Sequence, residues 1–334
     1  MPAHLLPVSR RQFLAGSASA IASLGHSNLS AAEPDVNRDS WFVLSDTHLL
    51  SSRSIQQHYS GNKAAMQARA TLVATNFERA ARQVTAFPER PAGLILNGDC
   101  VHVGGREEYE LLARKFALLQ TIPIHVTMGN HDHRDNFSHT FRDRADTDRV
   151  LLEDRHVSVL KSRHANLVLL DSLTMQHPDR PVKGPGKLEQ EQLEWFASVL
   201  DSTSDKPAIV MFHHNVDPSA ALRKRSGDQN VIVPSSDPFR GLTGGLQDTD
   251  KFLDLLTTRP HVKAVFCGHI HQFRIFNWRN LHFVSLPPVG YTFGPKEAVG
   301  WIRMLLQDGG ITLELQTLDS KHAQQGKRVE LSWS

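Results

Sequence analysis

Five short apolar segments, each followed within three residues by an aspartate, asparagine or histidine, constrain the fold of this chain most strongly. Their lengths and apolar character predict buried β-strands. The segments are residues 41–44, 92–96, 122–127, 208–212 and 262–266. In α/β proteins, functional sites lie at the carboxyl ends of strands. The polar residues that follow these segments are therefore candidates for one shared site.

The segments between the strands have apolar residues at helical spacing, which predicts helices. The predicted helices cover residues 63–87, 106–120, 188–200 and 249–258. A further strand is predicted at 167–171, another at 281–285, and a β-hairpin from 301–306 and 311–318. The alternation of strand and helix over the first part of the chain indicates an α/β fold with parallel strands.

Two polar segments interrupt this pattern. Residues 133–164 are rich in charged residues and predict an irregular surface excursion. Residues 216–247 are rich in Pro, Ser, Gly, Arg and Asp, and their length predicts either a functional lid or a disordered insert.

The cluster Gly129, Asn130, His131 and Asp132 follows the third strand. The glycine allows a sharp turn and a close approach to a ligand, while Asn130 offers an amide oxygen. By itself such a cluster is more often a polar turn than a metal site. The other strand ends favour the metal site.

Carboxylate, imidazole and amide groups recur at all five strand ends. They are Asp46, His48, Asp99, Asn130, His131, His213, His269 and His271. In Asp-x-His and His-x-His, two side chains on extended backbone point the same way. This set suits two borderline divalent ions such as Mn, Fe or Zn.

Charge gives no indication of a nucleic-acid polymer as partner. The chain has 37 Lys and Arg against 35 Asp and Glu, and Arg10 and Arg11 lie in a segment, residues 1–32, that contains no acid. The remainder is formally neutral, which is unlike the basic surfaces that bind phosphate backbones.

The amino-terminal residues resemble a bacterial twin-arginine export signal. Arg10 and Arg11 precede Phe13 and Leu14, a mildly apolar segment follows, and small residues end it at 30–32. The alternative is a chance basic pair on a disordered tail. The resemblance implies a signal peptide at 1–32, a partner in the twin-arginine machinery, a periplasmic protein and a domain at 33–334. No other segment is long and apolar enough to span a bilayer, so we expect no stable membrane anchor.

The two cysteines, Cys100 and Cys267, are too few for a disulfide scaffold. One bridge between them is one possibility, and two small buried packing residues is the other.

The ordered strand-end residues resemble the calcineurin-like metallophosphoesterase superfamily. The shared blocks are Asp-x-His, Gly-Asp, Gly-Asn-His-Asp, a strand-terminal His and Gly-His-x-His, in that order from Asp46 to His271. The resemblance implies a four-layer α/β/β/α sandwich of two mixed sheets flanked by helices. It also implies hydrolysis of a small phosphoester by hydroxide held between two metal ions.

Ligand roles follow from the same resemblance. The first ion would be held by Asp46, His48, Asp99 and His271, and the second by Asp99, Asn130, His213 and His269, with Asp99 bridging. Either His213 or His214 can be the strand-terminal ligand, and His213 is favoured because it directly follows the strand. His131 would stabilise or protonate the leaving oxygen, and Asp132 would orient it.

The sequence from Gly129 to Arg134 looks like the branch that contains class III cyclic-nucleotide and glycerophosphodiester phosphodiesterases. Arg134 is accordingly a candidate for substrate binding, with a solvated loop arginine as the alternative. The second block departs from the common Gly-Asp-x-x-Asp form, since His102 stands at its last position.

These observations favour an exported phosphodiesterase. A phosphomonoesterase with the same ions is the alternative, because the blocks bind phosphate without specifying its second substituent. A non-catalytic metal-binding envelope protein is disfavoured, because Asp99 and His131 are both present.

Overall fold

The apolar segments form the strands of two mixed β-sheets in the computed structural model, which describes residues 4–5, 35–119, 121–142, 152–174, 184–218 and 244–333. The strands are β1 (His4–Leu5), β2 (Val36–Leu44), β3 (Arg90–Asn97), β4 (Ile124–Thr127), β5 (Ser158–Lys161), β6 (Asn166–Leu169), β7 (Ala208–Met211), β8 (Val262–Cys267), β9 (Arg274–Trp278), β10 (Leu281–Ser285), β11 (Gly300–Gln307), β12 (Gly310–Thr317) and β13 (Arg328–Ser332). The helices are α1 (Ser52–His58), α2 (Lys63–Thr85), α3 (Arg106–Phe116), α4 (Arg134–Thr140), α5 (Glu189–Ser202) and α6 (Thr249–Thr257), with a 3-10 turn at Ala117–Leu119.

The first sheet has seven strands in the order β1-β4-β3-β2-β11-β12-β13. Strands β2, β3 and β4 run parallel to one another, and the carboxyl-terminal strands join β2 in antiparallel fashion. The three parallel strands therefore end at the same edge of the sheet. The short β1, which lies in the predicted signal segment, pairs antiparallel with β4.

The second sheet has six strands in the order β5-β6-β7-β8-β10-β9. Its four central strands are parallel, and β5 and β9 are antiparallel edges. Strands β7 and β8 thus also bring their carboxyl ends to a common edge.

Alternation along each strand divides the core into three apolar layers. On β2, Trp41 and Val43 belong to a cluster shared with inward-facing residues of both sheets, such as Ile209 of β7. Phe42 and Leu44 belong to a separate cluster with residues of α2 and α3. A third cluster lies between the second sheet and helices α5 and α6. Helix, sheet, sheet and helix therefore pack as four layers, which confirms the predicted fold class.

Residues 133–164 differ from the predicted irregular excursion. Part of this segment forms α4 and β5. Phe137 and Phe141, one helical turn apart, are buried in the core cluster of α2 and α3. The density of charged residues concealed this short amphipathic helix. The central part of the predicted lid at 216–247 lies outside the described residues, as does most of the predicted signal.

Both cysteines are free and buried. Cys100 packs in the cluster around α2 and α3, and Cys267 packs in the cluster around α5 and α6. This places them as packing residues. Among the described residues, no helix combines the length and the apolar character needed to cross a membrane.

Candidate metal centre

The predicted metal ligands follow five strands whose carboxyl ends meet where the two sheets adjoin. Asp46 and His48 follow β2, Asp99 follows β3, Asn130 follows β4, His213 follows β7, and His269 and His271 follow β8. Six of these seven side chains are buried, and His269 is partly buried. The structure therefore brings together residues that are far apart in the sequence.

Backbone strain is concentrated at these positions. Of ten non-glycine residues with positive φ in the described part of the chain, five are predicted ligands: Asp46 (52°), His48 (45°), Asp99 (48°), His269 (70°) and His271 (54°). Few non-glycine residues adopt this conformation, although Asn, Asp and His do so more often than others, and it costs of order 1–3 kcal/mol per residue. The rest of the fold compensates for this strain, and the strained backbone directs the side chains toward one common site.

The first group of donors consists of Asp46, His48 and His271, whose nearest ligand atoms all lie within 4.8 Å of one another. The Nε2 atoms of His48 and His271 are 3.0 Å apart. The Nε2 atom of His271 lies 3.3 Å from Oδ1 of Asp46.

The second group consists of Asp99, His213 and His269, again with ligand atoms within 4.8 Å of one another. Oδ1 of Asn130 joins it, at 3.0 Å from Nδ1 of His269. Asp99 lies between the groups, because its Oδ2 is 3.4 Å from Nε2 of His48 and 3.3 Å from Nε2 of His213.

Hydrogen bonds on the outer side of two rings show that their inner nitrogens fit metal ions. Nδ1 of His271 lies 2.6 Å from the carbonyl oxygen of Tyr291, and Nδ1 of His213 lies 3.2 Å from that of Asn97. A carbonyl only accepts, so each Nδ1 carries a proton, and the nitrogen that can offer a lone pair to a metal ion is Nε2. The buried Nε2 of His213 has no hydrogen-bond partner. Lone pairs that converge on carboxylate oxygens repel one another, and a cation between them removes that repulsion.

The charge of the site points to the same conclusion. Burial lowers the pKa of His213, but the carboxylates of Asp99 and Asp46 outweigh it and raise that pKa to about 9. Burial raises the pKa of Asp99, but His213, His131 and His48 bring it well below the usual range. The two carboxylates thus create a strongly negative field, which a divalent cation offsets.

His131 lies beside the two groups. Its Nδ1 is 2.6 Å from the carbonyl oxygen of His102, and its ring centroid is 4.7 Å from that of His48. Its backbone N–H donates to Oδ1 of Asp99. The ring is only partly buried.

Asp132 makes several hydrogen bonds within the loops that carry the site. Its carboxylate accepts hydrogen bonds from the backbone N–H groups of Gly129 and Cys100 and from the hydroxyl of Tyr109. These contacts tie the loop after β3 to the loop after β4. The backbone carbonyl of His102, rather than a carboxylate, receives the Nδ1 proton of His131. Asp132 therefore shapes the loops that carry the site.

Arg134 lies in an internal ion pair. Its Nε and Nη2 atoms donate to the two carboxylate oxygens of Asp171 at 2.7 and 2.9 Å, and Nη2 also bonds the carbonyl of Leu173. Burial lowers the pKa of Arg134, but Asp171 outweighs it and raises that pKa. The guanidinium forms a bidentate internal ion pair, which favours a structural role over the predicted phosphate contact.

His213 and His214 point in different directions. His213 faces Asp99, whereas Nδ1 of His214 lies 2.7 Å from the hydroxyl of Ser172, and that hydroxyl also accepts from the backbone N–H of His214. This geometry places His213 in the donor set and His214 behind it.

Sequence reasoning missed Tyr291. Its ring centroid lies 5.2 Å from that of His48 and 4.8 Å from that of His271. The available signal was Gly290, shortly after the parallel strand β10, because a glycine beyond a strand end permits close backbone approach. A Cβ on Gly290 would lie 2.8 Å from the carbonyl oxygen of Asp46.

A two-sheet sandwich with carboxylate, imidazole and amide groups at adjoining strand ends is the architecture of metallophosphoesterases. Residues 42–273 match the family model described as calcineurin-like phosphoesterase, and the chain belongs to this family.

Two bacterial phosphodiesterases are similar to this chain in sequence, and a solved phosphatase structure is similar to it in fold. A glycerophosphodiester phosphodiesterase GpdQ of Enterobacter lignolyticus is 25% identical over 211 residues, covering 61% of this chain and 65% of the relative. A 3′,5′-cyclic adenosine monophosphate phosphodiesterase CpdA of Vibrio vulnificus is 25% identical over 256 residues, covering 73% and 81%. The chain spans less than two thirds of the length of the GpdQ relatives that it matches. A dimetal phosphatase from Danio rerio has the same fold, with a TM-score of 0.61, 13% identity and coverage of 88% of this chain and 99% of that one.

Proposed function

We propose that this chain is a metal-dependent phosphodiesterase that uses two divalent ions. The observation that carries the proposal is the position of Asp99, whose Oδ2 lies 3.4 Å from His48 and 3.3 Å from His213. A carboxylate between two groups of nitrogen and oxygen donors is suited to bridge two ions. Asp46, His48 and His271 would complete one site, and Asn130, His213 and His269 the other.

The donors are imidazole, carboxylate and amide, which suit Mn, Fe or Zn. The chemistry that two such ions supply when bound is activation of a water molecule and neutralisation of charge on phosphoryl oxygens.

The side chains around the donors would perform the remaining tasks. His131 is fixed by the carbonyl of His102, and its Nε2 would stabilise or protonate the leaving oxygen. Asp132 holds the loops after β3 and β4 together, which keeps His131 and Asp99 at a fixed separation. No nucleophilic side chain is required.

The names of the relatives support a diester substrate. The GpdQ relative is a glycerophosphodiester phosphodiesterase, and the CpdA relative acts on a cyclic nucleotide, which is also a diester. The proposed substrate class is a small phosphodiester, and a monoester is the competing class.

The test uses purified protein whose metal content has been measured, assayed on a chromogenic phosphodiester and on the monoester with the same leaving group. We expect faster hydrolysis of the diester, loss of activity with a chelator and recovery with Mn, Fe or Zn. Faster hydrolysis of the monoester would make the protein a phosphatase. Inactivity on both esters with both ions bound would overturn the proposal.

We further propose that residues 1–32 direct export through the twin-arginine machinery to the periplasm, because Arg10 and Arg11 precede a weakly apolar segment with a small-residue end. The test fuses these residues to a reporter in a bacterium with this pathway. Export that stops in the Arg10→Lys, Arg11→Lys double variant is expected. Export that persists in a strain lacking the twin-arginine pathway would contradict this proposed export route.

A further inference from the structure

Phe293 is an exposed aromatic side chain next to the metal centre. Four large hydrophobic residues are exposed in the described part of the chain, and Phe293, with 67% of its surface accessible, is the most exposed of them. One face of its ring stacks on His271, with centroids 4.3 Å apart and an angle of 15° between the planes. The exposed surface of the ring therefore offers an aromatic face beside the metal centre on which a flat ligand ring can stack.

Tyr291 stands at an angle to Phe293, with ring centroids 5.9 Å apart and planes at 76°. The Tyr291 ring is also 5.2 Å from that of His48. The two aromatic side chains, here called the aromatic corner, therefore border the donor group of Asp46, His48 and His271.

Backbone contacts fix the aromatic corner to this donor group. The carbonyl of Tyr291 accepts the Nδ1 proton of His271 at 2.6 Å. The N–H of Gly290 donates to the carbonyl of Asp46 at 2.9 Å, and Asn76 donates to the carbonyl of Gly290. A rigid aromatic surface at a set distance from the site can discriminate between substrates.

A positive charge lies over one ring of the aromatic corner. The guanidinium of Arg69, on α2, lies 4.5 Å from the centroid of the Tyr291 ring. Arg69 is exposed. An arginine on an aromatic face can itself stack on a flat ring or contact its polar edge.

We infer that the aromatic corner binds a nucleobase, so that the substrates are phosphodiesters of nucleosides rather than of glycerol or other aliphatic alcohols. This inference rests on the proposed phosphodiesterase function and names its substrate class. Every base presents a π-face that stacks on an aromatic side chain, whereas an aliphatic substituent gains little from such a surface. The phosphate would lie at the donors while the base stacks on Phe293.

The experiment compares two diesters that differ only in the base: a nucleoside 5′-methyl phosphodiester and the same sugar methyl phosphodiester without a base. Metal-loaded protein is used, and kcat/KM is measured for each diester. For Phe293→Ala, we expect the ratio of kcat/KM, with base over without base, to fall about tenfold. The change should appear mainly in KM, because stacking holds the substrate in the ground state and transition state alike.

Three further variants test the chemistry of the surface. Phe293→Trp should preserve the ratio, because it retains an aromatic face. Phe293→Leu should lower it about as much as the alanine variant, because it retains only apolar bulk. Leu118→Ala, at an exposed leucine with 47% of its surface accessible, is the matched control and should not change the ratio.

The outcomes separate the inference from the function. If Phe293→Ala hydrolyses both diesters with an unchanged ratio of kcat/KM, the aromatic corner does not bind the base. The proposed phosphodiesterase activity would remain valid. A ratio that falls in Phe293→Trp as in Phe293→Leu would also overturn the inference. Hydrolysis of neither diester by the metal-loaded wild-type protein would overturn the proposed function and the inference with it.

Discussion

Oδ2 of Asp99 lies 3.3 Å from Nε2 of His213, and both side chains are buried. The two residues follow parallel strands of different sheets, so their contact joins the two halves of the sandwich. The carbonyl of Asn97 accepts from Nδ1 of His213, so that Nε2 of the ring faces the carboxylate. A cation bound by both groups, as proposed above, would neutralise this buried carboxylate.

The distinct directions of His213 and His214 lead to the first prediction. His213→Ala should lower metal affinity by at least about a hundredfold, because it removes a direct donor. His214→Ala should keep two ions per chain, because His214 bonds Ser172 instead. Metal content by mass spectrometry, with circular dichroism to confirm folding, distinguishes the two. Loss of an ion in His214→Ala with retention in His213→Ala would reverse the assignment.

His131 should affect chemistry and not metal content. His131→Ala is expected to lower kcat by about a hundredfold or more for a diester with an alkoxide leaving group. The loss should be smaller for a nitrophenolate, which leaves without a proton. His139→Ala, at an exposed histidine, is the control. Equal losses for both leaving groups would remove the proposed role.

Arg134 should matter for stability. Its partner Asp171 is fully buried, and the arginine side chain is 14% exposed. Arg134→Ala leaves a buried carboxylate without its cation, so the free energy of unfolding should fall by about 3 kcal/mol or more. Urea denaturation measures this change, and KM should stay near the wild-type value. Wild-type stability with a greatly raised KM would restore the substrate-binding role.

Glu89, which lies away from the metal centre, makes a pH-dependent contribution to the free energy of unfolding. Burial raises its pKa, but hydrogen bonds from Arg303, Ser40 and Asn37 outweigh this effect and lower the pKa to about 2. A carboxyl group whose pKa is lowered by folding stabilises the protein above its unfolded pKa of 4.5, and this contribution is lost as the pH falls toward 2.

The matching variant is Glu89→Gln, which should cost about 1.5 kcal/mol at pH 7. The difference in unfolding free energy between wild type and variant should shrink as the pH is lowered from 6 to about 3. A difference that stays constant over this range would show that the ionised carboxylate is not the stabilising group.

The positions of the donor residues could be predicted because each lies directly after a short apolar strand segment, a pattern that is visible in the local sequence. The strands β7 and β10 and the helix α6 lie within a residue or two of their predicted positions. Short apolar runs determine strands, and parallel strands place their ends together.

The roles of Asp132 and Arg134 could not be predicted in the same way. Each depends on partners that the fold brings from elsewhere, such as Tyr109 for Asp132 and Asp171 for Arg134. A charged residue beside a motif has the same appearance in the sequence whether it faces a substrate or an internal partner. Helix α4 was missed because two buried phenylalanines stand among charged residues.

Anomalous X-ray diffraction from crystals of the metal-loaded protein tests the central claim most directly, with Asp99→Ala as the comparison. We predict two anomalous peaks about 3.5–4 Å apart, one on each side of Oδ2 of Asp99, and loss of at least one peak in the variant. A single peak, or full occupancy of two sites in Asp99→Ala, would contradict a centre bridged by this residue.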